Sequence, residues 1–387
     1  MAVDSAPGFL DLEASFLAGV NDSAPGFLDL EASFLRPVTH WVIRSGSRYP
    51  VWPRVPAPGF QPKAAKPSGL VSVNPASASN MSTYGADLYV AKIAWSDIEP
   101  SQGAYNWAPI DSLLAARPSM RMTLRIQAGN DAPAWLKTAS GGAMELYNVS
   151  RDITVWTARW WTTVAMNAWQ VMIEAAGARY DSDLRVVLVS ADLPMVVYSE
   201  PFILGSHNPS GQALYAAGCN LVTHTNSIKR CVSDTCRAFP TSRVELAIHS
   251  DFQYPIATGV AKSWPLGRQI ALDLMAEWKN QLVFSDYGLQ TIHTLAAKPI
   301  TGTLQTEPDV YAWMRLRSQT APELGGGPVG YQLTPKGMTT KPDYMQMAQN
   351  AIDHGGWYCE TSGWGTLGSD FTFYDTALKT QAAAGGI

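Results

Sequence analysis

Residues 88–107 read LYVAKIAWSDIEPSQGAYNW: an apolar run, a turn and the approach to a helix. Residues 88–94 have the length and β-branched character of a strand. Glu99-Pro100 ends the run, because proline offers no N–H to a continuing ladder. Gly103 then supplies a turn flanked by Tyr105 and Trp107, and a helix is expected to begin near Asp111. The same strand-then-helix pattern recurs along the chain. Short apolar runs lie at 69–73, 88–94, 121–126, 184–189, 244–248, 282–284, 329–333 and 357–360. Helical patterns fall between them at 152–177, 210–237, 257–280, 309–318 and 343–353, the first on Ile153, Trp156, Trp160, Val164, Ala168 and Met172. Alternating β and α units give a parallel sheet, and eight strands give a barrel. The expected class is α/β, a (β/α)8 TIM barrel with an extended N-terminal arm.

The arm holds an exact repeat. DSAPGFLDLEASFL occupies residues 4–17 and again 22–35. Each copy joins a Pro-Gly turn to an apolar stripe too short to offset its own ordering entropy. Two readings stand: a recent duplication with no role, or a pair of docking peptides for equivalent sites on a symmetric protein assembly. Residues 37–66 are Pro-rich and read as a linker. The expected organisation is therefore 1–36 docking arm, 37–66 linker and 67–387 barrel.

Hydrophobic residues make up 46% of the chain and charged residues 16%, which suits a large core under a lightly charged surface. A net charge of −4 gives no general electrostatic attraction to nucleic acid or to an anionic membrane. No apolar run reaches 18 residues, and the front shows no signal-peptide pattern, so neither a membrane span nor an export signal is expected. Cys219, Cys231, Cys236 and Cys359 match no zinc or redox spacing and read as buried thiols, with a disulfide to Cys219 the other reading. No metal or cofactor is expected. The 14 Trp, 15 Tyr and 11 Phe could stack on sugar faces or pack helices onto the sheet.

The segment from Trp95 to Trp107 resembles the W-x-x-I-E-P-x-x-G-x-Y-x-W pattern of clan A-type (β/α)8 glycoside hydrolases. Leu124-Arg125-Ile126 resembles the arginine that such enzymes carry on strand three beneath the active site. Asp131-Ala132-Pro133-Ala134-Trp135-Leu136 resembles the segment that follows it, and Gly177-Ala178-Arg179-Tyr180 their turn before strand four. The resemblance spans roughly residues 69–200, and beyond that it rests on strand order. It implies hydrolysis of a glycosidic bond by two carboxyl groups, about 5–5.5 Å apart for retention or about 6.5–9.5 Å for inversion.

That resemblance places an acid/base at the end of strand four and a nucleophile at the end of strand seven. Strand four ends at Asp192 with no Asn-Glu, and the next carboxyl is Glu200, the acid/base candidate. Strand seven carries Gln332 where a nucleophile is expected, and an amide cannot form a glycosyl ester. Glu360 on strand eight becomes the second catalytic candidate. Trp95, Arg125, Trp135, Asp192, His249, Asp286, Tyr287, Gln332 and Trp364 are the substrate-binding candidates. Two functions follow: a glycoside hydrolase acting on cell-surface or host-wall glycans, or a carbohydrate-binding or structural barrel, a pseudoenzyme that has lost a carboxylate. The repeat, the Pro-rich linker and the lack of an export signal suit a phage tail protein released by lysis as part of a virion. A cytoplasmic glycosidase is the alternative.

Overall fold

The computed structural model describes residues 41–44, 47–50, 60, 62–73, 84–149, 152–194, 207–249, 252–333, 340–361 and 367–384. The N-terminal repeat, Glu200 and Trp364 lie outside the described residues. The chain divides into a unit of residues 1–56 and a unit of residues 57–387. In the first, Trp41–Arg44 pairs antiparallel with Ser47–Pro50, a short hairpin within the stretch expected to be irregular linker.

The second unit contains a closed barrel of eight strands: β1 Gly69–Ser72, β2 Leu88–Ala94, β3 Arg121–Gln127, β4 Val186–Ser190, β5 Arg243–Ala247, β6 Leu282–Leu289, β7 Val329–Leu333 and β8 Tyr358–Thr361. Every neighbouring pair is parallel, and β8 pairs with β1 to close the ring. The sequence-derived TIM barrel is the fold observed, with all eight runs forming strands.

Outside the ring lie α1 Ala108–Ala116, α2 Thr163–Tyr180, α3 Asn208–Ala216, α4 Leu221–Ala238, α5 Trp264–Trp278, α6 Val310–Gln319, α7 Lys341–Asp353 and α8 Phe371–Ala384. Asp111 on α1 pairs with Arg179 at 2.6 Å and accepts from the Tyr180 hydroxyl at 2.8 Å, which ties α1 to the end of α2. All four cysteines are buried free thiols.

Three expected helices begin elsewhere. Residues 153–157 form a strand, because Ile153, Thr154 and Val155 are β-branched and Met144–Asn148 offers an antiparallel partner. Helix α2 starts only at Thr163, where the Thr162 side chain accepts from the Ala165 N–H. The expected helix at 210–237 is two, broken at Gly218 in the left-handed region and restarted by Asn220, which caps α4 in a capping box. Residues 253–262 form a second hairpin ahead of α5. Helix α8, which buries Phe371, Tyr374, Leu378 and Ala382 at helical spacing, is not among the expected helices.

Candidate functional site

Register fixes which side chains enter the barrel. Lys92 pairs with Arg125, Ser190 with Glu245, and Gln332 with Glu360 and through it Val71, so each set shares one face of the sheet. Val71, Leu88, Val90, Leu188, Val283 and Tyr358 form an apolar cluster separate from the main core. Above this floor, towards the carboxyl ends of the strands, the interior turns ionic.

Arg125 is the centre. Its guanidinium reaches from β3 to Glu245 on β5 (Nη2–Oε2 2.9 Å, Nε–Oε2 3.3 Å) and to Glu360 on β8 (Nη1–Oε2 3.0 Å, and Nη2–Oε1). A side chain on β3 can touch both β5 and β8 only through the interior. Ser190 stands between, accepting from Arg125 Nε at 3.1 Å and donating to Glu245 at 2.6 Å. The Tyr358 hydroxyl also donates to Glu245. The ring of Tyr287 covers the guanidinium at 4.5 Å, a cation–π contact in a dry setting. Gly330 makes room for Tyr358, since a Cβ there would meet its ring.

One guanidinium nitrogen contacts both carboxylates, so their nearest oxygens lie within about 6 Å of each other. Arg125, Glu245 and Glu360 are all buried. Burial disfavours every charge here, but two carboxylates hold Arg125 firmly protonated. Burial also pushes Glu245 up, yet Arg125, Ser190 and Tyr358 together outweigh it and hold the carboxyl below its ordinary range. At Glu360 burial wins: its carboxyl is raised, opposed by Arg125 and reinforced by the charge on Glu245. One arginine serves two acids, so the second proton is the harder to lose.

The sequence-derived candidates separate into groups. Arg125, Glu360, Tyr287 and Gln332 come together inside the barrel. Gln332 is half-buried on the same face as Glu360, and Lys92 is exposed above the network. Asp192 is buried at the carboxyl end of β4, within electrostatic reach of Tyr287. His249, half-buried past the end of β5, is near Asp286. Asp286 accepts from the Tyr311 hydroxyl of α6 at 2.8 Å and the Gly288 N–H at 2.7 Å, which ties β6 to that helix.

Trp95 is enclosed completely. Its ring packs edge-on against Trp135 and Trp169, and its N–H donates to Glu99 at 2.8 Å. That corrects its assignment to substrate: no face is left for a sugar. Trp135 is half-buried, with its N–H on the Glu99 carbonyl oxygen at 3.1 Å.

Glu245 is the functional-looking residue that sequence reasoning passed over. The signal was present: Arg243-Val244-Glu245-Leu246-Ala247 sets a lone acid in a strand buried on both faces, where an unpaired carboxylate is prohibitive. Lys92 carries the same signal in β2.

No known family pattern matches the chain, and no curated protein sequence matches it. Solved structures do. The chain is similar to the catalytic domain of β-amylase from Paenibacillus polymyxa, with 8% identity, 82% of this chain and 100% of that one covered, and a TM-score of 0.51. Endo-glycoceramidase II from Rhodococcus sp. matches over 79% of this chain and 75% of that one, at 14% identity and a TM-score of 0.47. β-Galactosidase from Marinomonas ef1 matches over 82% and 59%, at 11% identity and a TM-score of 0.44. At these identities the likeness is one of fold, and function has to be argued from the site.

Proposed function

We propose that this chain is a glycoside-hydrolase-like barrel that recognises a cell-surface glycan at its carboxyl-terminal mouth. The observation that carries the proposal is the ionic layer of Arg125, Glu245 and Glu360, with Lys92 and Gln332 on the same inward faces. An ammonium and an amide offer donors and an acceptor to sugar hydroxyls. The layer beneath fixes the barrel interior that presents them, as recognition requires. Active sites of TIM barrels lie at this end.

Hydrolysis is a second reading, favoured by the opposed ionisation of Glu245 and Glu360. Neighbouring carboxyls driven apart in pKa mark acid and base roles. On that reading Glu360, pushed towards its neutral form, suits a proton donor better than the nucleophile or base expected from the sequence, and Glu200, expected as the acid, takes the other place. Gln332 and the closure of Glu360 onto Arg125 favour recognition.

Retarded migration through gels containing cell-wall polysaccharides, together with reducing-sugar release, separates the readings. Retardation without release supports recognition. Release abolished by Glu360→Gln and Glu200→Gln supports hydrolysis. A chain that neither binds nor cleaves any of them refutes both. The repeated N-terminal peptide is proposed to dock the chain on a symmetric virion assembly, with the cytoplasm as the alternative location. Removal of residues 1–36 should then abolish incorporation into particles while leaving glycan binding intact.

A further inference from the structure

One wall of the carboxyl face is built from three excursions of the chain. After β3 comes the 144–157 hairpin, after β4 helix α3, and after β5 the 253–262 hairpin. They are stapled together. The Tyr147 N–H donates to Ser210 Oγ at 3.0 Å, and the Val260 N–H to Asn208 Oδ1 at 3.2 Å. Gly211 lies so close to the Gly259 carbonyl that a Cβ would collide with it. The hairpin is therefore held from behind.

Its two faces differ. Leu146 and Val155 are buried on one. The other carries the cross-strand pairs Glu145–Trp156 and Tyr147–Thr154. Trp156 is 51% exposed, the one exposed tryptophan among the residues whose burial is described. An indole normally contributes by burial, so a bare one on a rigid strand is a standing cost in apolar surface. Tyr147, diagonal to it, is braced by the His207 ring at 5.0 Å and by a hydrogen bond from its hydroxyl to Asp152. Glu145 is exposed, and neither its carboxylate nor the Trp156 indole N–H makes a hydrogen bond to another described residue.

We propose that Trp156, Tyr147 and Glu145 form an outer platform for a pyranose unit of an extended glycan, beside the mouth. A sugar ring is amphipathic: its C–H face can lie on the indole while its hydroxyls meet a carboxylate and an N–H donor. The platform supplies the flat face, the acceptor and the donor within one cross-strand pair and its diagonal neighbour. The 14 tryptophans of the chain otherwise serve packing wherever their surroundings are described, with Trp107 and Trp135 half-buried. The proposal deepens the glycan-recognition reading by adding a second contact point for the same class of ligand.

The test uses the full chain, its Trp156→Ala variant, and Gln332→Ala as a mouth variant, titrated with chitohexaose, cellohexaose and maltoheptaose. Trp156 is half exposed and belongs to no core cluster, so Trp156→Ala should change the melting temperature little. Its affinity for the bound hexa- or heptasaccharide should fall roughly tenfold, the scale of one lost aromatic stack. The fluorescence change on binding should shrink with it. Weakening by Gln332→Ala but not by Trp156→Ala overturns the platform and leaves the mouth. Weakening by Trp156→Ala alone upholds the platform and removes the mouth. Unchanged binding in both variants, or no binding by the parent chain, overturns the platform.

Discussion

Replacing Arg125 by methionine should be the most damaging single change in the barrel interior. The guanidinium donates to Ser190, Glu245 and Glu360, and none of these groups has water to fall back on. Methionine fills similar space but leaves two buried acids with only the more distant charge of Lys92 acting on Glu360. Removing one partner from a buried ionic group costs about 3–5 kcal/mol. At ~2.1 cal/mol/K per residue over residues 57–387, that lowers the melting temperature by roughly 4–7 °C. The loss should shrink as pH falls, because both orphaned carboxyls can then take up protons. Glu360→Gln should behave differently. It removes one of the two acidic charges and keeps an oxygen for one Arg125 nitrogen, but turns an amide NH2 towards the other, so it should cost about 1–3 kcal/mol, less than Arg125→Met. Combining Arg125→Met with Glu245→Gln and Glu360→Gln should recover part of the loss. Differential scanning calorimetry at pH 7 and pH 5 reads all of these. Were Arg125→Met to melt within 1 °C of the parent, or Glu360→Gln to be equally damaging, the charge-balance argument would fail.

Three further outcomes are expected. Burial lowers His224 to about 4 from an unfolded value near 6.5, so its contribution is full above pH 6.5 and is lost as pH falls through 4. Acid urea titrations should show about 3 kcal/mol disappearing over that window, and His224→Gln should flatten it. Asp234 runs the other way: burial, opposed by Arg230 and Arg237, raises it to about 6. Its protonated form is favoured in the fold, so its own contribution to stability is full below pH 3.8 and is lost as pH rises through 6. Asp234→Asn should therefore stabilise by about 2 kcal/mol at pH 8 and by nothing measurable at pH 3.5. Gly330→Ala would drive a methyl into the Tyr358 ring, with an expected cost of about 1–3 kcal/mol in a thermal melt and weaker near-ultraviolet dichroism from the displaced tyrosine.

The barrel was legible because eight short, mostly apolar runs alternate with longer helical patterns, and such alternation gives a parallel sheet. Boundaries failed where two periodicities overlapped. Ile153, Trp156 and Trp160 fall at helical spacing, yet Ile153-Thr154-Val155 prefers extended backbone once Met144–Asn148 is at hand, and that partner is a tertiary fact. The same misreading placed Trp156 on a helical stripe, when it stands exposed on a hairpin strand. Arg125 could be proposed from the resemblance of its strand, and Glu360 from its strand end. Glu245 was hidden by its mid-strand position, although a lone acid in an apolar strand already implied a buried counter-charge. Trp95 failed in the opposite sense, for an aromatic beside a turn motif gives no hint of which face it will bury.

The central claim, a glycan at the carboxyl-terminal mouth, is tested most directly by a crystal structure of the chain with whichever saccharide retards it in the gel assay. The account predicts sugar density within hydrogen-bond reach of Gln332 and Lys92, above an intact Arg125–Glu245–Glu360 layer. Density confined to any other surface, with the mouth closed to the saccharide, would contradict it.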